Sequence, residues 1–354
     1  VPRYAPLAAA GLAASIAFAA TAGAETVLRY TEPSVNRGER AASMNWFADE
    51  VSKRTNGALK INFFWGGSLM DARSSLKGVG DRAAEMGSIV GSYTAREMLP
   101  YNVGDLPVGS SDVWVGLRAM YELATTSPDL KKAFDASNVV YLSNMTTTEV
   151  QLICKNKVLA KVEDFKGVKI RSAGFYGQVL ESLGASVLRF SGTEAGRALD
   201  AGTITCNHNY LYGMRILRDY ESAKDIIKLD WGQHLAWAVI VNKEVFEKMP
   251  ADHQKALREA GSAMVDKVAE LMIGANDNAL AAMKAGIDGH KVNVHEFPAA
   301  EKEKLLKAGE KYIADWRSKT NAAGYSADGI LAQYRALTEK YEAERKAKNY
   351  PWKR

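Results

Sequence analysis

Hydrophobic and polar positions follow two periods along the chain. Residues 26–31, Thr-Val-Leu-Arg-Tyr-Thr, predict a strand. Residues 39–54 place Ala42, Trp46, Phe47 and Val51 on one helical face, and Asn56-Gly57 closes that helix. Residues 59–64, Leu-Lys-Ile-Asn-Phe-Phe, alternate with period two and predict a second strand, which stops at the turn cluster Trp65-Gly-Gly-Ser68. A helix near 72–82 and a short strand near 87–91 come next. Strand and helix alternating at such short intervals predict an α/β fold with a largely parallel sheet.

The middle of the chain repeats this style. Strands are expected at 138–142, 150–154, 168–171, 186–190, 203–206, 226–230 and 235–241, with helical segments at 162–165, 177–183 and 192–200. The 203–206 strand runs into Asn207-His208-Asn209-Tyr210, expected beyond its end and ahead of a helix-like 211–217. From 251 onward the pattern turns helical: 251–285 interrupted at Gly261 and Gly274, then 299–320 and 327–346, with a strand-like 291–295 between. No repeat period stands out. No Ser/Gly-rich linker separates the halves, so the chain is expected to cross between two lobes more than once.

The N-terminus changes the setting. Residues 1–24 carry one charge, Arg3, then an apolar run and Ala22-Gly23-Ala24, the pattern of a secretory signal peptide cleaved after Ala24. The run is Ala-rich and short of the roughly 20 residues that span a bilayer. Composition adds exclusions. A formal charge of +5 spread over 354 residues is too weak to imply nucleic acid as a partner, which usually leaves a clustered basic face. Nine prolines and 29 glycines exclude a collagen-like chain. Cys154 and Cys206 are the only cysteines; an oxidising compartment permits them to pair, and two buried thiols remain the alternative.

Enzyme motifs are scarce. There is no Gly-x-Ser-x-Gly elbow, phosphate loop, His-Glu-x-x-His or Cys-x-x-Cys, and Gly78-Val-Gly80 fails the dinucleotide fingerprint. No cofactor is called for. A zinc site from His208, His234 and a carboxylate lacks the usual spacing. Arg171 is the sharper signal: it ends a short apolar strand, where ligands of open α/β sheets bind, and its planar fork suits a carboxylate. Asn207 and Asn209 can hydrogen-bond a small polar ligand. Aromatic residues gather at comparable strand ends, and of these Trp65, Tyr93 and Trp231 are taken as ligand-binding candidates.

Several segments in order resemble the solute-binding proteins of tripartite ATP-independent periplasmic (TRAP) transporters. They are Phe64-Trp-Gly-Gly-Ser-Leu69, Arg82-Ala-Ala-Glu-Met-Gly87, Asp105-Leu-Pro107, Glu163-Asp-Phe-Lys-Gly-Val-Lys-Ile-Arg171, Glu194 through Ala198-Leu-Asp-Ala-Gly202, Val241-Asn-Lys243 and Met249-Pro250. The resemblance implies a two-lobe periplasmic binding-protein fold with crossing strands, a long interlobe helix and a helical C-terminus. The implied lobes are 25–148 with about 235–274, and 149–234 with about 275–325, followed by a C-terminal helix at 326–354. It also implies a non-enzymatic periplasmic receptor that binds an organic acid through Arg171, with Asn209 in the cleft, and delivers it to membrane permease subunits. Thr205, Cys206 and His208 depart from the family pattern, as does Trp65, and argue against a standard C4-dicarboxylate ligand. The competing readings are a receptor of an ATP-driven importer and a secreted α/β enzyme using His208 or Glu149 as base.

Overall fold

The computed structural model describes residues 1–2, 25–109 and 111–354; the expected signal peptide, apart from its first two residues, lies outside the described residues. Eleven strands form two sheets among the described residues. They are β1 (Thr26–Thr31), β2 (Leu59–Phe64), β3 (Met86–Val90), β4 (Val139–Met145), β5 (Val150–Cys154), β6 (Lys169–Arg171), β7 (Ser186–Leu188), β8 (Cys206–Tyr210), β9 (Asp225–Lys228), β10 (Trp237–Asn242) and β11 (Asn293–Glu296). The first sheet has the order β2-β1-β3-β10-β4 and the second β11-β9-β5-β8-β6-β7.

Both sheets are mixed rather than largely parallel, and the reason is the crossing of the chain. β10 runs antiparallel to β3 and β4, and β5 antiparallel to β8 and β9. Each of these two strands is entered directly from the other sheet. β4 ends at the cleft, residues 146–149 cross, and β5 therefore starts at the cleft end of the second sheet. Residues 229–236 cross back and β10 starts opposite Met145 and Val90. The two crossovers are bonded to one another: Thr147 N donates to His234 O at 3.0 Å, His234 N to Thr147 Oγ1 at 2.9 Å and Val150 N to Gly232 O at 3.0 Å.

The long helical stretch packs on both halves. Helix Ala251–Met272 lies against β4 and helix Gly38–Arg54, and helix Ala275–Ala285 against helix Leu211–Ile216. Gly274, at φ +85°, makes the break, a conformation that costs glycine little. Gly261 does not interrupt the helix as expected. It packs where a side chain would meet Leu142 O, so it serves close approach to β4. Helices Ala299–Ala322 and Ala327–Lys348 close the chain. No helix among the described residues is long and apolar enough to cross a membrane.

Strand β8 starts three residues later than the pattern suggests. Asn207, His208 and Asn209 lie within it rather than beyond it, because Asp219 and Ser172 supply each of them with a buried side-chain partner. Cys154 and Cys206, directly opposed on β5 and β8 with Cα atoms 4.1 Å apart, form a disulfide.

Candidate functional site

Every strand except β5 and β10 delivers its C-terminal end toward the junction of the two sheets, the position where such folds bind ligands. A cavity of about 1000 Å³, counted out to its open mouth, lies there. The segments after β1, β3, β6, β7 and β8 line it, together with both crossovers.

Arg171, the last residue of β6, is 8% exposed. Its Nε donates to Phe190 O at 3.1 Å, Nη1 to His208 O at 3.2 Å and Nη2 to the Tyr93 hydroxyl at 2.7 Å. A guanidinium has five N–H donors, so one remains on each terminal nitrogen. All three acceptors are neutral, and no carboxylate among the described residues pairs with this cation. Gly192 backs it closely: a methyl there would lie 3.5 Å from both Nη atoms. Tyr93 follows β3 in the first sheet, so its bond to Arg171 joins the two sheets across the cavity.

Below Arg171 lies a carboxylate that the sequence did not flag. Asp219 is fully buried and accepts from Asn207 Nδ2 at 2.7 Å and Asn209 Nδ2 at 2.8 Å. Burial pushes its carboxyl up to about 6, against the pull of the two amide donors and of Arg171. Asn209 Oδ1 accepts from Tyr210 N at 2.9 Å. His208 Nδ1 shares a 2.6 Å hydrogen bond with Ser172 Oγ, while burial, with His234 and Arg171 nearby, holds its imidazole well below the ordinary value. It is therefore neutral at pH 7. His208 Nε2, Trp237 Nε1 and Arg40 Nε are buried with no hydrogen-bond partner among the described residues, and all three residues line the cavity.

Of the six residues singled out from sequence, Arg171, Tyr93 and Asn209 line this cavity. Asn207 sits behind it on Asp219. Trp65 packs on Phe63 with ring centroids 4.9 Å apart, and Trp231 meets Tyr176 edge-on at 4.9 Å; neither is in the lining. His208 and Tyr210 also line the cavity, on the strand β8 that ends four residues further on than the pattern suggests. Arg40, His234 and Trp237 complete the lining without having been selected. One signal for Arg40 existed: it stands in the first turn of a helix, where the macrodipole disfavours a cation.

Glu149 bonds Asn276 Nδ2 at 3.1 Å and lies outside the lining. The His208 and His234 rings are 5.7 Å apart, and no group of three potential metal ligands gathers among the described residues.

Two sheets linked by paired crossovers, with an unpaired buried cation in the cleft between them, define a binding protein for small anions. Residues 36–319 match the family DctP, bacterial extracellular solute-binding protein family 7, and the chain belongs to that family. It is 27% identical over 268 residues to a solute-binding protein of Albidiferax ferrireducens, covering 73% of this chain and 77% of that protein. It is 25% identical over 301 residues to the C4-dicarboxylate-binding periplasmic protein DctP of Rhodobacter capsulatus, covering 82% and 86%. A TRAP solute-binding protein from a marine metagenome, specific for aromatic acid ligands and solved with metahydroxyphenylacetate, superimposes with a TM-score of 0.79 at 20% identity, over 90% of this chain and 99% of that one. The family is one of non-enzymatic solute-binding proteins, and the fold is that of TRAP receptors, as the ordered motifs implied.

Proposed function

We propose that this chain is the periplasmic receptor of a TRAP transporter, exported through residues 1–24, and that it captures an organic acid anion and delivers it to membrane permease subunits. One observation carries the reading: Arg171 is a buried guanidinium with neutral partners and two N–H groups left over. An isolated buried cation is costly unless it is paired. A ligand carboxylate supplies that pairing through a charge-assisted fork. Tyr93 orients the guanidinium from the opposite sheet, and Asn209 offers its remaining amide N–H. Asn207 holds Asp219 in place, while Trp65 and Trp231 support the walls by packing. The lobes, 25–148 with 235–274 and 149–234 with 275–325, hinge at the bonded crossovers. The ligand favours the closed form because only that form lets it touch both lobes.

Calorimetric titration with a panel of carboxylic acids tests this. Arg171→Ala is expected to weaken binding by about 2–5 kcal/mol, the range for stripping a buried charge of its partner. Arg171→Lys recovers only part, since an ammonium lacks the planar fork. Wild-type affinity in a folded Arg171→Ala protein overturns the assignment.

A further inference from the structure

We propose that Arg40 is a second anion anchor in the same cavity, so that the receptor selects acids bearing two anionic groups. The proposal rests on the receptor reading above. Arg40 is 6% exposed and lies on the opposite side of the junction from Arg171, in the first turn of helix Gly38–Arg54. Its guanidinium lies over the Trp237 ring, 3.6 Å from the centroid. Nη2 donates to the hydroxyls of Tyr210, at 3.1 Å, and Tyr212, at 2.7 Å.

Those contacts leave the charge uncompensated. Nε is buried and unpartnered, Nη1 donates to no described residue, and no described carboxylate forms an ion pair with this arginine. Glu32 acts on it only through space; its own carboxylate is taken up by Ser34 N, at 2.8 Å, and the Ser88 hydroxyl. The cavity lining contains Arg37, Arg40 and Arg171 and no aspartate or glutamate. A purely structural strut between Trp237 and two tyrosines has no use for an orphaned N–H at its centre, and leaving a buried donor unmade is expensive. Two separate guanidiniums, each buried and each lacking a counterion, match a ligand with an acidic group at either end. The aromatic surfaces of Tyr93, Tyr210, Tyr212 and Trp237 enclose the frame between them.

The test compares matched acids by calorimetry on the intact protein: benzoate against isophthalate and terephthalate, and butyrate against succinate, glutarate and adipate. Wild-type protein is expected to bind at least one diacid ten times or more tighter than its monoacid. In Arg40→Met that ratio falls about ten- to a hundredfold, the loss expected for a hydrogen bond to a charged group. Arg40→Lys gives an intermediate ratio, and serves alone if the methionine variant does not fold. A wild type without diacid preference overturns the proposal. So does an Arg40 variant in which both constants fall together and the ratio holds, the signature of a strut. Arg171→Ala separates the two ideas: if it abolishes binding of monoacid and diacid alike while the Arg40 ratio stays fixed, the receptor reading stands and the second anchor falls. Failure of every acid to bind the wild type overturns both.

Discussion

Asp219→Asn should make the empty protein more stable at neutral pH, although it replaces a buried, hydrogen-bonded carboxylate. Burial holds the native pKa at about 6, against an ordinary 3.8. A shift of about two units corresponds to about 3 kcal/mol at 1.36 kcal/mol per unit. Because the folded pKa is the higher one, the native state binds more protons than the unfolded chain in this window. The contribution is therefore fully present below about pH 4 and lost as pH rises through about 6, so Asp219 costs stability at pH 7. An asparagine placed with its oxygen at the Oδ2 position still accepts from Asn207 and Asn209, and its amide takes the place of Oδ1, which has no partner now. Loss of charge assistance in those two bonds removes part of the gain. The net expectation is about 1–2 kcal/mol of added stability at pH 7, shrinking to nothing or reversing near pH 4. Urea unfolding of both proteins from pH 4 to 7 measures it, and the difference between them cancels the other titrating groups. Two parallel pH profiles, or a loss above about 2 kcal/mol at pH 7, would refute the reasoning. The same charge lies behind the cavity wall, within the field of Arg171. An anion beside Arg171 raises the Asp219 pKa further, so binding near pH 6 should take up a proton, visible as a buffer-dependent heat that the asparagine variant lacks.

Two further outcomes follow from the framework around the site. Replacing Cys154 and Cys206 together by alanine should cost about 3–4 kcal/mol in urea unfolding, since the bridge spans 52 residues; a loss under about 1 kcal/mol would show that the strand pairing alone holds this end of the second sheet. Small-angle scattering should register a smaller radius of gyration when a bound acid is added at saturation, and an unchanged value would count against closure about the crossovers.

The sequence was most legible where local period and position coincide. β1, β2 and β5 match the expected spans because their side chains alternate in exposure or, in β5, are mostly apolar and buried throughout. Arg171 was legible for a geometric reason: a short apolar strand ending in a guanidinium puts that group at the mouth of the sheet whatever else surrounds it. β8 was misplaced because Asn207, His208 and Asn209 read as a polar turn, and only Asp219 and Ser172, remote in sequence, make them acceptable inside a sheet. Asp219 itself stands in Arg-Asp-Tyr-Glu, which has no local mark of burial.

Arg40 shows how a conflict within a sequence can carry information. A cation in the first helical turn opposes the macrodipole, and natural sequences tend to keep such local conflicts where function requires them. The helical period alone makes Arg40 an ordinary surface residue. The fold instead presses it against Trp237, which arrives from β10 by the second crossover, and against Tyr210 and Tyr212 from the far sheet. Arg171 is likewise fixed by Tyr93 from the sheet opposite its own. Each cation is thus oriented by groups from the other half of the molecule. If the halves separate, both guanidiniums lose these tyrosine contacts and regain water; as they close, both are stripped of solvent together. A ligand with one acidic group relieves only one of these penalties on closure, and a ligand with two relieves both. Selectivity for diacids and closure of the lobes therefore draw on the same free energy.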